Sequence, residues 1–337
     1  MDPEMNVTVI LCTYNRCDAL AAALDSVAAS VVPPSFNWEV LIVDNNSKDQ
    51  TQEVVDQFSK KHPGRFRYFF EPKQGKSHAL NSGIREAHGE VLAFMDDDIT
   101  VEPDWLYELV RPLAKSEWAG TGGRVYLPKD FVAPDWMAVE GHHSLVTILA
   151  LFDLGPDPAP ISKPPIGNNM AFRKSVFAKY GNFRTDLGPT PGSEIRYEDT
   201  EFGARVMRGG GKILYVPSAI VRHEVPERRL EQEYFLSYHF DYGRALIRER
   251  GDRHGFGIVP RPLISLANRL LNILPTKAWR WLRESQPQKR FYNKCQVWTI
   301  AGEITEICRR SLGSRTPDSS EIPGGETAPA VSSINRP

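Results

Sequence analysis

Two hydrophobic rhythms alternate along the first hundred residues. Val7-Thr8-Val9-Ile10-Leu11-Cys12 is a short, β-branched apolar run. Trp38-Glu39-Val40-Leu41-Ile42-Val43 is a second, and it stops at the turn-forming Asp44-Asn45-Asn46-Ser47. Phe66–Phe70 and Val91-Leu92-Ala93-Phe94-Met95 are a third and a fourth. Between these runs, residues 19–29, 51–61 and 77–87 place apolar side chains at helical spacing. Short apolar strands separated by helices predict an α/β fold, with a mostly parallel sheet covered by helices on both faces. Sheets of that kind bind ligands just beyond the carboxyl ends of their strands.

After Thr121 the rhythm loosens, and Pro128, Pro134, Pro156, Pro158, Pro160, Pro164 and Pro165 break up the chain as far as Ile166. An irregular insertion and an acceptor-shaping loop both fit this stretch. Helices are expected at 174–179 and 199–208, the second stopped by Gly209-Gly210-Gly211, with a strand at 213–216. Residues 231–250, 260–285 and 290–312 read as amphipathic helices, and a Ser/Pro/Gly/Glu-rich tail from Gly313 reads as disordered. The expected organisation is a catalytic domain over 1–228, a helical extension over 229–312 and a tail over 313–337.

The hydrophobic fraction of 41% and charged fraction of 25% exclude wholesale disorder. The net charge of -1 conceals an asymmetry. Residues 244–310 hold 14 Lys and Arg against 5 Asp and Glu, whereas residues 1–243 hold 25 against 34. An acidic body therefore carries a basic appendage. No recognised nucleic-acid-binding motif accompanies that basic charge, so no nucleic-acid partner is expected. Cys12, Cys17, Cys295 and Cys308 form no metal-binding spacing and read as reduced thiols. Met1-Asp2-Pro3-Glu4-Met5 shows no signal-peptide pattern, and no apolar run is long enough to span a bilayer. The expected location is the cytoplasm, or the inner face of the cell membrane as a peripheral protein.

The sharpest chemical feature is Asp96-Asp97-Asp98, directly after the fourth strand. Adjacent carboxylates repel one another unless a cation compensates, and a hard divalent ion with phosphate oxygens is a natural partner. A plain acidic helix-capping turn is the rival reading. Strand one ends in Thr13-Tyr14-Asn15-Arg16, which offers a hydroxyl, an aromatic face and a fixed cation for a base and a phosphate. Strand two ends in Asp44, an acceptor for a base or ribose, or simply a turn residue. Gly75-Lys76 opens the third helix and favours anions, although Phe70 stands where a Walker A glycine would be needed. Glu198-Asp199 fits either first-turn helix electrostatics or acid–base chemistry.

Four blocks in order carry a resemblance: Val9 through Arg16, Glu39 through Ser47, Lys76 through Asp98, and Tyr197 through Phe202. Together they span about 190 residues, and the chain resembles the family 2 glycosyltransferases of GT-A fold. The resemblance implies inverting transfer of a sugar from a nucleotide-sugar, a UDP- or GDP-sugar, with Mg²⁺ or Mn²⁺ as cofactor. The acceptor would be a hydroxyl of a carbohydrate or glycolipid, and surface polysaccharide assembly is the family habit. Carried over position by position, Thr13, Tyr14, Asn15, Arg16 and Asp44 line the nucleoside pocket, with Lys76 and Asp96 along the ribose and diphosphate. Asp97 supports them. Asp98 is the metal ligand, joined by His223, and Asp199 is the general base. Asn168, Asn169 and Glu198 shape the donor-sugar and acceptor pocket.

Trp105 and Trp136 fit a sugar-stacking role or a core role equally. His78, His142 and His143 read as surface or loop residues. Leu263, Leu266, Leu270, Leu271 and Leu274 recur at helical spacing among Arg261, Arg269, Lys277, Arg280 and Arg283, with Trp279 and Trp281 alongside. That pattern suits contact with an anionic membrane, or packing on the acidic body. Two rival functions remain: a sugar-phosphate nucleotidyltransferase, disfavoured because no glycine-rich loop follows strand one, and a non-catalytic nucleotide-sugar-binding module.

Overall fold

The computed structural model describes residues 5–115, 117–253 and 261–311, with side chains omitted for 251–253 and 261–263. The reading of Met1–Glu4, the expected tail from Gly313 and the side chains of Arg261 and Leu263 lie outside the described residues.

Strands β1 (Met5–Thr13), β2 (Phe36–Asp44), β3 (Phe66–Phe70) and β4 (Val91–Asp96) alternate with helices α1 (Cys17–Ala28), α2 (Thr51–Lys61) and α3 (Lys76–Glu86). Then come β5 (Ile99–Val101), α4 (Trp105–Val110), β6 (Gly120–Tyr126), β7 (Ala159–Pro160), β8 (Met170–Arg173), α5 (Lys174–Tyr180), α6 (Glu198–Arg208) and β9 (Ile213–His223). The chain continues as α7 (Gln232–Arg253), α8 (Arg261–Asn268), a π-turn over Arg269–Ile273, α9 (Leu274–Arg283) and α10 (Pro287–Ser311).

Among the described residues the strands form one sheet in the order β3-β2-β1-β4-β8-β6-β9-β5, with β7 added beside β9. β1 pairs in parallel with both β2 and β4, and β2 with β3. β8 runs antiparallel to β4 and β6, so the sheet is parallel on one side and mixed on the other. The period-two alternation of a strand sends neighbouring side chains to opposite faces. Val7, Val9 and Leu11 pack on one face with Leu20, Leu24, Val55 and Trp105. Ile10, Leu41, Val43 and Phe94 face the other, against Ala79, Leu80, Phe177 and Phe202. Burial on both faces explains why these strands read as continuous apolar runs.

A third cluster joins the irregular stretch to the C-terminal helices, with Met137, Leu145 and Leu149 against Phe235, Leu236 and Phe291. Trp136 belongs here, its ring 5.1 Å from Phe235 and 4.5 Å from Phe291. Trp105 is fully buried and donates from Nε1 to Asn169 Oδ1 at 2.8 Å. Both tryptophans are thus core residues. α7 and α10 cross closely because glycines meet at the crossing. A Cβ on Gly302 would fall 1.8 Å from Phe240 O, and one on Gly243 2.0 Å from Thr299 O.

Candidate active site

The parallel half of the sheet brings its polar strand ends to one edge. Cys12 on β1 is registered with Asp96 on β4, and Thr13 with Asp44. β5 pairs antiparallel with β9 so that Ile99 lies opposite His223, and Glu224 N donates to Asp98 O at 2.9 Å. This register sets His223 beside Asp98.

Each member of the aspartate triplet has a different cationic partner set. Lys76, the first residue of α3, donates from Nζ to Asp96 Oδ1 at 2.7 Å. Asp97 accepts from Thr13 Oγ1 at 2.8 Å and from Arg16 Nη1 at 3.0 Å. Asp98 Oδ2 accepts from Arg16 Nη1 at 2.9 Å and from Arg229 Nη2 at 3.0 Å, while His223 Nε2 lies 3.5 Å from Asp98 Oδ1. Burial pushes the Asp97 carboxyl up to about 6, with Arg16 opposing and Asp98 adding to the rise. Burial also works against ionisation of Asp98. The hydrogen bond and charge of His223, then Arg229 and Arg16, outweigh it and hold Asp98 well below the usual carboxylate range. Lys76 is held above its ordinary value, because Asp96 and then Glu198 outweigh the burial that disfavours its charge.

Arg229, on the turn Glu227–Leu230, was not picked out from the sequence. Its Nη1 lies 3.0 Å from His223 Nε2, so one guanidinium spans the carboxylate and the imidazole. A cationic group already sits where these two donors converge. A carboxylate and an imidazole completed by phosphate oxygens and water fit a divalent ion. Among the described residues no three His, Cys, Asp or Glu side chains converge on one point, so the protein side of such a site would be limited to a pair.

Two cavities adjoin at the triplet. One, of about 290 Å³, is lined by Thr13, Tyr14, Arg16, Gly75, Lys76 and Asp96–Asp98, and closed by Pro189–Gly192. The other, of about 600 Å³, is lined by Lys76, Asp96, Asp98, Asn168, Glu198, Asp199, His223 and Arg229. Its walls come from the irregular stretch (Leu145, Ile148, Leu151 and Phe152) and from α7 and α10 (Tyr238, His239, Tyr242, Tyr292 and Gln296). The proline-rich stretch and the C-terminal helices are therefore parts of the cleft. No sequence spacing announces this, because the residues come from segments about a hundred positions apart.

Glu198 and Asp199 begin α6 after Tyr197, whose φ of 95° is in the left-handed region that non-glycine residues seldom occupy. Asp199 Oδ2 accepts from Gly167 N at 2.6 Å, and Oδ1 from Thr200 N at 2.6 Å. Oδ1 also accepts from Thr200 Oγ1 at 3.2 Å, so Oδ2, with one donor, is the oxygen that retains acceptor capacity. A Cβ on residue 167 would fall 2.8 Å from Asp199 Oδ2, so the close approach requires glycine. Glu198 is buried, lies 3.8 Å from Lys76 Nζ, and its Oε2 has no hydrogen-bond partner. Burial first, then Asp199, pushes its carboxyl up to about 7, against the pull of Lys76.

Three expected pocket residues stand behind the cleft instead of lining it. Asp44 is buried and accepts from Ser47 N at 2.8 Å and Tyr68 Oη at 2.7 Å. Asn15 Oδ1 accepts from Lys48 N at 2.7 Å, bracing the β1 and β2 ends together. Asn169 corrects the expectation most clearly. Its Oδ1 is held by Trp105, and its Nδ2 donates to Arg124 O and Ala219 O, both at 2.9 Å. That amide is committed to the core, whereas neighbouring Asn168 reaches the larger cavity and has a buried Oδ1 without a partner.

The family model for glycosyl transferase family 2 matches residues 8–181, just over half of the chain. The chain belongs to glycosyl transferase family 2. It is a glycosyltransferase. It is 28% identical over 241 residues to the succinoglycan biosynthesis protein ExoM of Rhizobium meliloti, covering 71% of this chain and 74% of ExoM. It is 25% identical over 249 residues to the glucosyl-dolichyl phosphate glucuronosyltransferase of Haloferax volcanii, covering 71% and 75%. Among solved structures, the mannosyltransferase PcManGT of Pyrobaculum calidifontis, in complex with GDP-Man and Mn²⁺, superposes with a TM-score of 0.60 at 20% identity, over 90% of this chain and 87% of that one. The shared architecture is the GT-A fold expected from the motifs, here with C-terminal helices packed beside the cleft.

Proposed function

We propose that this glycosyltransferase moves a sugar from a UDP- or GDP-sugar to a hydroxyl of a carbohydrate or lipid-linked acceptor, with inversion at the anomeric carbon. The observation that carries the reading is the meeting of two unlike carboxylate groups at the junction of the cavities. The triplet is wrapped in cations, whereas Glu198 and Asp199 face the larger cavity with Lys76, 3.8 Å from Glu198, as the one cation paired with either among the described residues. An inverting displacement needs that division, with a charge-stabilising side for the leaving diphosphate and a proton-accepting side for the attacking hydroxyl.

In this reading the smaller cavity takes the nucleoside between Tyr14, Thr13 and Arg16, with Asp44 and Asn15 bracing the strand ends behind it. Lys76 and Asp96 lie along the ribose and diphosphate, and Asp97 holds Arg16. Asp98 and His223 would hold Mg²⁺ or Mn²⁺, which supplies positive charge to the leaving phosphate oxygens when bound. Asn168 and Glu198 border the sugar. The acceptor oxygen attacks the anomeric carbon, its proton passes to Asp199, and the bond from that carbon to the diphosphate oxygen breaks. The division into a catalytic unit over 1–228 and a helical extension over 229–312 belongs to the same reading, with Arg229 and α7 lent to the cleft. So does peripheral contact with an anionic membrane at the cytoplasmic face, and the relative named for a dolichyl phosphate-linked substrate supports a lipid-linked acceptor.

Asp199→Asn tests the base. Transfer should fall about 10²–10⁴-fold, with nucleotide affinity and thermal stability close to wild type. Wild-type turnover in a folded variant would refute the assignment. Two observations favour a second reading, in which Glu198 takes the proton: its unbonded Oε2 and a carboxyl pushed up to about 7. In that case Glu198→Gln, and not Asp199→Asn, abolishes transfer.

A further inference from the structure

The membrane and packing readings of the basic helix are not alternatives, because the helix has two faces. One face packs inward. Arg269 is buried and donates from Nε to Glu303 Oε2 on α10 at 2.7 Å, and the Trp281 ring meets Trp298 edge-on at 6.2 Å. The outward face is apolar where a solvated helix is polar. Ile264, Leu270, Leu271, Trp279 and Leu282 are between 45% and 75% exposed. Pro275, Trp279 and Leu282 follow one another at four- and three-residue steps on one side of α9, and Ile264 and Leu271 are exposed before them on α8 and the π-turn. The exposed ridge thus differs from the leucine stripe read in the sequence, where Leu266 and Leu274 are partly buried.

Charge identifies what covers this ridge. Residues 261–283 contain no Asp or Glu. Lys277, Arg280 and Arg283 have no acidic partner among the described residues, and Arg283 lies 4.9 Å from the Trp279 ring. Lys289 and Arg290 follow at the start of α10, also without acidic partners among those residues. A second copy of this face would bring cations against cations in a two-fold contact, which is unfavourable. A polynucleotide would satisfy the charges and leave the leucines in water. An anionic bilayer surface satisfies both: phosphates take the guanidinium and ammonium groups, and the apolar ridge sinks below them with tryptophan at the boundary.

We propose that the α8–α9 face is a membrane-docking surface, which lies in the interface of an anionic bilayer without crossing it. No described helix is long and apolar enough to cross. α10 links this face to the cleft. It bears Trp298, which packs on α9, and also Tyr292 and Gln296, which line the larger cavity. Docking therefore holds the acceptor cavity at a fixed relation to the lipid surface. This inference rests on the membrane part of the function proposed above and is independent of its chemistry.

The test is flotation of the full chain with phosphatidylcholine vesicles, with and without phosphatidylglycerol. Wild type should float with the anionic vesicles at least about tenfold better than with the neutral ones, and release as salt rises. Leu271→Ser/Leu282→Ser and Lys277→Glu/Arg280→Glu/Arg283→Glu should each lose that binding about tenfold or more, while titrations with UDP and GDP match wild type. Failure of wild type to float, or undiminished flotation of both variants, overturns the proposal. So does a wild-type dimer that Leu271→Ser/Leu282→Ser converts to monomer without changing flotation. Normal vesicle binding with no nucleotide affinity would instead count against the transfer chemistry alone.

Discussion

The two sides of the cleft contain the same functional group in opposite conditions. On the side proposed for the donor, Asp96, Asp97 and Asp98 are each paired with Lys76, Arg16, Arg229 or His223. On the side proposed for the acceptor, Asp199 is held by two backbone N–H groups and the Thr200 hydroxyl, and Glu198 has Lys76 at 3.8 Å from one oxygen and no partner on the other. The contrast is sharpest between Asp98, which cations hold ionised and so suited to charge work, and Glu198, which burial lifts toward neutrality and so suits to proton work. The contrast arises from chain topology. The donor carboxylates end a strand, where the arginines of a neighbouring strand end and of the turn after β9 can reach them. The other pair opens a helix, where Asp199 takes one backbone donor from the helix N-terminus, Thr200 N, and one from the loop before β8, Gly167 N.

The largest effect is expected from removing the donor-side charge. Asp98→Asn should lower transfer about 10²–10³-fold and abolish any enhancement of nucleotide binding by Mn²⁺, read by calorimetry. Unchanged enhancement would dissolve the distinction between the sides. Gly167→Ala attacks the acceptor side alone. The new methyl would fall 2.8 Å from Asp199 Oδ2, and a displaced base should lower kcat about 10²-fold with nucleotide affinity intact. Gly302→Leu removes the acceptor wall by forcing α7 off α10. It should cost about 3 kcal/mol of stability in urea unfolding, and transfer should decline before nucleotide binding does.

The smallest effect distinguishes the carboxyls by pH. The Glu198 carboxyl is raised from 4.5 to about 7 in the folded protein. Its contribution to stability is therefore complete below about 4.5 and is lost as pH rises through 7. Glu198→Gln stays neutral throughout, so its stability relative to wild type should improve between pH 5 and pH 8, by on the order of 2–3 kcal/mol. A difference that does not change with pH would show that Glu198 is not held near neutrality.

In the half proposed for the donor, Thr13 and the aspartates were legible in the sequence because each follows an apolar run. Val91–Met95 leads into the aspartates and Val7–Cys12 into Thr13, and strand ends meet at one edge whatever the loops do. Of the other half, Asn168, Glu198 and Asp199 were legible, and the walls around them were not. Tyr238, Tyr242 and Tyr292 enter it from helices whose spacing encodes only amphipathicity, and α7 and α10 meet through glycines that carry no pattern at all. Arg229 was hidden in a short turn, and its position depends on the β5–β9 register. Asn168 and Asn169 look alike in sequence. Both stand in the turn before β8, where one side chain lines the cavity and the other meets Trp105, a difference that no spacing encodes.

Titrating UDP and GDP, with and without Mn²⁺, into wild type, Asp98→Asn and Asp199→Asn tests the separation of charge and proton work most directly. At least one nucleotide should bind wild type and Asp199→Asn alike, more tightly with the ion, and the ion should make no difference to Asp98→Asn. Equal, ion-independent affinity in all three proteins would contradict the account.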